Sequence, residues 1–335
     1  MSIIEVNGLQ KDFFIAKRET GFVGSLKSLF KREFMKKEAV RDISFTIEEG
    51  EMVGYIGPNG AGKSTTIKML TGILVPTGGE VTVNGIIPYE NRQENAKNIG
   101  VVFGQRTQLW WDLPTIESFE LLKAIYRVSD KRYKENMDIF QEILGLDEFI
   151  NTPVRQLSLG QRMRADIAAS LLHDPPILFL DEPTIGLDVV AKEKMRTFIQ
   201  EINKERKVTV ILTTHDMEDI EKLCKRMVLI DHGQKVYDGD IMAVKERFGK
   251  MRTLVVDLED SNKELYVKGG DPFKKEGNRH WVRFNRNEIS ASELITQISQ
   301  THSIKDLTVE EPEIESIISR IYQEGFTEQP DTVQV

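Results

Sequence analysis

The sequence predicts an α/β fold, a mostly parallel β-sheet covered by helices and carrying a phosphate-binding loop, followed by a small α+β domain. Three observations predict it. Gly57-Pro58-Asn59-Gly60-Ala61-Gly62-Lys63-Ser64-Thr65 joins a strand-like Met52-Val53-Gly54-Tyr55-Ile56 to a helical run from Thr65 to Leu70. Short apolar runs at 177–180, 208–212 and 226–231 are each preceded by a helical run, the pattern of parallel strands joined by crossovers. Past about Lys250 the texture changes to clustered short strands and two helices. A chain of 335 residues exceeds the size at which one core usually keeps growing, so two domains are expected.

Taken in order, Ile3 to Val6 and Ile43 to Ile47 alternate apolar and polar residues as half-buried strands do. Between them, from Ile15 to Glu38, seven basic residues (Lys17, Arg18, Lys27, Lys31, Arg32, Lys36 and Lys37) stand against Glu19, Glu33 and Glu38. Phe22, Leu26, Leu29, Phe30 and Phe34 recur there at helical spacing, which predicts a basic amphipathic helix over this insertion. Such a helix either lies on an anionic membrane surface or a partner, or folds back on its own domain with its lysines solvated. Glu80 to Val83 and Ile99 to Phe103 read as strands, with Asn84-Gly85 as a turn. From Thr115 to Gly145 the apolar positions Ile116, Phe119, Leu122, Ile125, Tyr126, Met137, Phe140, Ile143 and Leu144 follow helical periodicity, marking a helical insertion. Asp231-His232-Gly233-Gln234 then turns the last strand of the series into a hairpin. In the second domain, strands are expected at 253–258, 265–267, 280–284 and 304–309 and helices at 291–300 and 314–322, with Gly269-Gly270-Asp271-Pro272 as turn material and 328–335 as a disordered tail.

Composition narrows the function. A formal net charge of −8 argues against the broad basic surface of a nucleic-acid binder. With one cysteine, Cys224, no intrachain disulfide can form, and Met1-Ser2-Ile3-Ile4-Glu5-Val6 lacks a basic segment followed by a long apolar one; a cytoplasmic location is expected. Apolar runs such as Ile177-Leu178-Phe179-Leu180 are far shorter than the ~18 residues of a membrane span, so any membrane role runs through a surface or a partner.

The loop at 57–65 carries the chemistry. Its glycines let consecutive N–H groups turn inward on a polyphosphate, beside the positive end of the following helix. Lys63 adds a mobile cation for the β- and γ-phosphates, and the Ser64 hydroxyl is a hard ligand suited to Mg²⁺. Ile177-Leu178-Phe179-Leu180-Asp181-Glu182 is an apolar strand ending in two carboxylates: Asp181 is placed to hold the Mg²⁺ shell, directly or through water, and Glu182 to accept a hydrogen bond from water attacking the γ-phosphate.

Leu157-Ser158-Leu159-Gly160-Gln161, upstream of Asp181 and followed by a helical run, resembles the signature sequence of the ATP-binding cassette (ABC) ATPases, and the likeness extends from about Met1 to Gly239. The resemblance implies a P-loop NTPase fold of the ABC type, with an antiparallel β subdomain and a helical subdomain at about 106–170, inside a nucleotide-binding domain of 1–245; a C-terminal α+β domain spans 250–327. It implies ATP and Mg²⁺ as ligands and hydrolysis at a head-to-tail homodimer, in which Ser158, Gly160 and Gln161 of one cassette meet the nucleotide held on Gly57, Pro58, Asn59, Gly60, Ala61, Gly62, Lys63, Ser64 and Thr65 of the other. By the same likeness Gln105 reaches the metal and the nucleophilic water, Asp188 of Gly186-Leu187-Asp188 crosses the dimer interface, and His215 contacts the γ-phosphate and orients Glu182. Glu182, His215, Gln105 and Lys63 are thus the catalytic set, and Ser64, Gln105 and Asp181 the metal set.

Two positions depart from the family pattern. Leu159 stands where a glycine is usual, and the adenine-stacking aromatic is Phe13, with Phe14 beside it and the basic insertion directly after. Trp110 and Trp111, in a polar loop after Gln105, are either a local core plug or an exposed anchor for a transmembrane permease. A lone cassette with a C-terminal appendage resembles the exporter branch, peripheral on the cytoplasmic face of the membrane and touching it through the permease. The alternatives are a soluble cassette ATPase acting on ribosomes or DNA, and a regulatory binding module that uses ATP as a structural clamp without turnover.

Overall fold

The N-terminal strands run well past their apolar alternation. The computed structural model of the chain describes residues 1–16, 34–104, 106–259 and 265–324. In it β1 (Ser2–Ala16) pairs antiparallel with β2 (Phe34–Glu48), and after β3 (Met52–Ile56) has left for another sheet, β4 (Gly78–Val83) returns to the other side of β1. Buried Ile43, Phe45 and Ile47 supply the period of two that fixes which face of β2 points inward. Beyond them the ladder continues without burial: Phe14 pairs with Lys36, Ile15 with Met35 and Ala16 with Phe34. Ile15 and Phe34 to Glu38 are therefore strand residues and not part of an amphipathic helix, because their backbone groups are committed to cross-strand pairing. Residues 17–33 of that insertion lie outside the described residues, as do Gln105 and the tail 328–335.

The main sheet is built as the alternation of strands and helices requires. After β3 come α1 (Lys63–Leu70), α2 (Arg92–Asn98) and β5 (Ile99–Phe103), then the helical segment α3 (Thr115–Tyr126), α4 (Asp130–Leu144) and α5 (Leu159–Leu171). β6 (Ile177–Asp181), α6 (Val189–Arg206), β7 (Thr209–Thr213), α7 (Met217–Leu223), β8 (Arg226–Asp231) and β9 (Gln234–Asp240) complete it. The strand order is β5-β6-β7-β3-β8-β9, with β5 through β8 parallel to their neighbours. Ile177, Leu178, Phe179 and Leu180 are each at most 1% exposed, as expected of a parallel strand covered on both faces. Each such side chain contributes roughly 1.5–3 kcal/mol by leaving water. The connection from β8 to β9 is His232-Gly233, with φ of 45° and 79°, the two positive values of a tight hairpin turn.

The helices start and stop where their caps say. Ser129 accepts from the Arg132 N–H at 3.3 Å to open α4, and Gly145, at φ 61°, closes it. Phe119, Met137, Phe140 and Leu144 are buried within this helical part.

The chain divides into two units, Met1–Gly239 and Asp240–Val335. The boundary expected at 245 falls inside α8 (Ile241–Phe248), which groups with the second unit. There α8 packs on α10 (Ile314–Glu324), whose Arg320 donates to the Phe248 carbonyl at 2.8 Å. The rest of the unit is an antiparallel sheet of order β11-β12-β10-β13, from β10 (Met251–Leu258), β11 (Gly270–Glu276), β12 (Arg279–Asn285) and β13 (Ile304–Glu310), with α9 (Ala291–Thr301) capped by Ser290. The second strand of this unit differs from expectation. Leu265 and Val267 are buried but unpaired, whereas the segment expected to turn, from Gly270, is an edge strand. Pro272 and the polar residues of β11 give no alternation to read, and an edge strand tolerates both.

Candidate nucleotide-binding site

The carboxyl ends of the parallel strands meet at one edge of the main sheet, with Phe103, Asp181 and Thr213 side by side in register. Such an edge is where open parallel sheets bind ligands. The loop 57–62 emerges there from β3, between β7 and β8. It closes on Gly62, whose φ of 107° and closeness to Ala39 exclude a side chain: a Cβ would lie 2.6 Å from the Ala39 carbonyl oxygen. Gly62 stands at the N-cap of α1 with no side chain capping the helix, so the first N–H groups of α1 are left for a ligand.

A cavity of about 510 Å³ opens over the loop, within the size range of small-ligand sites. Asn59, Gly60, Gly62, Lys63, Ser64, Thr65, Asp181 and Glu182 line it from the sheet edge, and Phe13, Ile15, Lys37 and Ala39 from the β1–β2 hairpin. Gly57, Pro58 and Ala61 are not in that lining, and they shape the loop. The Gly57 and Pro58 carbonyls accept from Lys63 Nζ at 2.5 and 3.2 Å, and buried Ala61 accepts from the Gly233 N–H at 3.0 Å, tying the loop to the β8–β9 turn. Burial lowers the Lys63 pKa while the Glu182 and Asp181 carboxylates oppose that shift, so the ammonium belongs electrostatically to the same site as the two acids.

The acids are held differently. Asp181 accepts a hydrogen bond from the Thr213 hydroxyl across the β6–β7 ladder. Glu182 adopts φ 57°, a left-handed conformation that a non-glycine residue takes at a cost of roughly 1–3 kcal/mol. Its N–H donates to the Thr213 carbonyl at 2.8 Å, and its Oε2 lies 2.7 Å from Nδ1 of His215, itself largely exposed. The next turn is anchored too, since the Thr184 hydroxyl donates to buried Asp219, which also takes the Arg196 Nε–H at 2.6 Å.

Ser158, Gly160, Gln161 and Asp188 do not line this cavity. Ser158 caps α5 through a capping box: Ser158 Oγ accepts from the Gln161 N–H at 3.2 Å and Gln161 Oε1 from the Ser158 N–H at 2.9 Å. Gln161 therefore holds its own helix start. Leu159 lies over Gly186, where a Cβ would meet Leu159 Cδ2 at 2.3 Å, and Gly160 faces Leu187. Asp188 caps α6 through the Ala191 N–H at 2.8 Å, with Val189 and Val190 exposed beside it. Trp110 and Trp111 are 39% and 49% exposed, so neither is a core plug; Leu109, one residue earlier, is the buried member of that loop.

The sequence reading missed Thr213, Ile15, Lys37 and Ala39. Lys37 is the cross-strand partner of Phe13, which puts both side chains on one face of the hairpin, and only the pairing register reveals it. A divalent cation fits this donor set. Ser64 and Asp181 offer oxygen ligands to one cavity, and among the described residues no group of three or more His, Cys, Asp or Glu forms a self-sufficient metal cage. Few protein ligands beside a phosphate site is the arrangement that suits Mg²⁺, which keeps waters and substrate oxygens in its shell.

Comparison with known proteins agrees with this geometry. Residues 40–185 match the ABC transporter family. The Nod factor export ATP-binding protein I of Rhizobium sp. (strain N33) is 36% identical over 220 residues, 64% of this chain and 70% of that protein. The methionine import ATP-binding protein MetN 2 of Enterococcus faecalis is 33% identical over 248 residues, 73% of this chain and 67% of that protein. A solved dimer of the ATP-binding cassette MJ0796, in a post-hydrolysis state bound to ADP and Pi, is 28% identical with a TM-score of 0.59, covering 71% of this chain and 98% of that one.

Proposed function

The chain belongs to the ABC transporter ATP-binding family, and from that premise we propose that it hydrolyses ATP as one half of a head-to-tail cassette pair and drives a separate transmembrane permease. The observation that carries this is the division of the site. Lys63, Ser64, Asp181 and Glu182 share one cavity, while Ser158 and Gly160, at an exposed helix start, do not line it. A second copy supplies the missing lining. Its Ser158 hydroxyl and the first N–H groups of α5 are suited to a γ-phosphate held by the other cassette.

Catalysis then rests on positioning and electrostatics. The loop N–H groups and Lys63 orient the phosphates. Mg²⁺, held by Ser64 and Asp181 and, by the family likeness, Gln105, supplies charge neutralisation when bound. Glu182 accepts the proton-bearing edge of the attacking water, and His215 holds that carboxylate in place. Phe13 stacks on the adenine. The exposed Trp110 and Trp111 face the permease, through which the chain sits peripherally on the cytoplasmic side of the membrane; among the described residues no helix is long and apolar enough to cross one.

We assign export as the direction, supported by similarity to the Nod factor export protein. Import is the second reading, supported by similarity to the methionine import protein. Phosphate release measured against protein concentration tests the core of the proposal: the rate per chain should climb as pairs form, and Ser158→Ala should suppress it. Full turnover in a monomer indifferent to Ser158 would overturn the cassette-pair mechanism. Copurification with a membrane protein separates transport from a purely regulatory role, and the side of an inverted vesicle on which cargo accumulates decides direction.

A further inference from the structure

The loop after Gln105 and the helix headed by Ser158 are joined through one buried carboxylate. Asp166, on α5, is 3% exposed. Its Oδ1 accepts from the Thr107 hydroxyl at 2.8 Å and from the Gln108 N–H at 3.0 Å, and its main-chain carbonyl accepts from Gln108 Nε2 at 3.0 Å. The Thr107 hydroxyl in turn accepts from the Leu109 N–H at 3.1 Å. Further along, the Arg155 N–H donates to the Trp111 carbonyl at 2.9 Å, and the Arg162 guanidinium lies 5.6 Å from the Trp111 ring. Arg162, one turn before Asp166 on α5, also favours the ionised carboxylate against the cost of its burial.

A buried carboxylate is a poor choice for packing alone, since an apolar side chain of similar size avoids the desolvation cost. What it provides is charge-assisted hydrogen bonds, stronger and more directional than neutral ones. We propose that Asp166 is a positioning residue that clamps residues 107–109 to α5, so that the exposed Trp110–Trp111 pair and the Ser158 helix start move as one body. This deepens the function proposed above and rests on it. Closure of Ser158 on a nucleotide in one direction, and a load on the tryptophans in the other, are then two ends of one rigid link rather than separate events.

The chain has three tryptophans, so Trp281→Phe leaves emission from the Trp110–Trp111 loop alone. In that chain, carrying Glu182→Gln to hold ATP, emission and light scattering are recorded together as ATP and Mg²⁺ are added. The expected result is an emission change that tracks dimerisation. Asp166→Ala and Thr107→Val, cutting the link from opposite sides, should shrink that change at least about fivefold while dimerisation persists. Asp166→Asn, which keeps the shape and an acceptor oxygen but not the charge, should recover only part of it; full recovery would overturn the charge-assisted clamp in favour of shape alone. If Asp166→Ala does not fold, Thr107→Val carries the same test. Dimerisation with no emission change in the native-loop chain, or with full amplitude in the cut variants, overturns the clamp. Failure of the native-loop chain to dimerise overturns the cassette-pair reading beneath it.

Discussion

His215 Nδ1 lies 2.7 Å from Glu182 Oε2, and the two residues come from the ends of β7 and β6. The contact fixes one carboxylate oxygen on a residue whose backbone is already strained, and in the proposed mechanism the other oxygen meets the attacking water. Glu182→Gln is expected to cut steady-state phosphate release by at least ~100-fold while ATP stays bound. His215→Ala should lower turnover with little change in ATP affinity. Normal release from the Gln variant would remove Glu182 as the base.

Phe13 and Lys37 face the cavity from neighbouring strands, so the hairpin contributes both a stacking surface and a cation. Phe13→Ala should weaken ATP binding roughly tenfold and Phe13→Tyr should preserve it, judged by titration calorimetry. Lys37→Ala should weaken binding at low salt and reduce its dependence on ionic strength. Equal affinities across these chains would show that the hairpin does not meet the nucleotide.

Trp110 and Trp111 stay exposed although the loop bearing them is tied down at Leu109 and Arg155. The proposed outcome of replacing both by alanine is a chain that binds ATP normally and hydrolyses it, yet no longer drives transport with its permease in vesicles. Undiminished transport would assign the pair elsewhere.

His173 stacks on Tyr126 with ring centroids 3.9 Å apart, and burial pushes its pKa down to about 4 against the Ile99 carbonyl and Asp174, which favour the charged ring. The folded value lies below the ordinary 6.5, so on acidification the unfolded chain takes up this proton first. Stability from this group is complete above about pH 6.5 and drains away between there and about pH 4, by up to ~3 kcal/mol. His173→Gln should flatten that limb. Urea midpoints at pH 7 and pH 4.5 check it, and an identical drop in both chains would count against it.

The linear order of residues was enough for the phosphate loop, the acidic end of β6 and the cap at Ser158, because each depends on neighbours within a few positions: a strand's last residue, a helix's first turn, a glycine at a positive φ. Helical periodicity likewise announced α3 and α4, whose Phe119, Leu122, Met137, Phe140 and Leu144 are buried, although Ile125 of the same stripe is exposed. Register and edge strands lie beyond such local reading. The pairing of Ile15 with Met35 put the two ends of the basic insertion into a ladder, and polar β11 formed at a sheet edge while the more apolar Leu265–Val267 stayed unpaired, since pairing is decided by partners distant in sequence.

The identity of the groups proposed for catalysis was therefore local information, and their arrangement was not. Residue types at 63, 64, 181 and 182, with 215 by family resemblance, pointed to the proposed chemistry. Only the tertiary fold put Thr213 under Asp181, Lys37 beside Phe13 and Asp166 beneath Thr107, because a hydrogen bond across 32 or 59 positions exists only after the sheet and helices have closed.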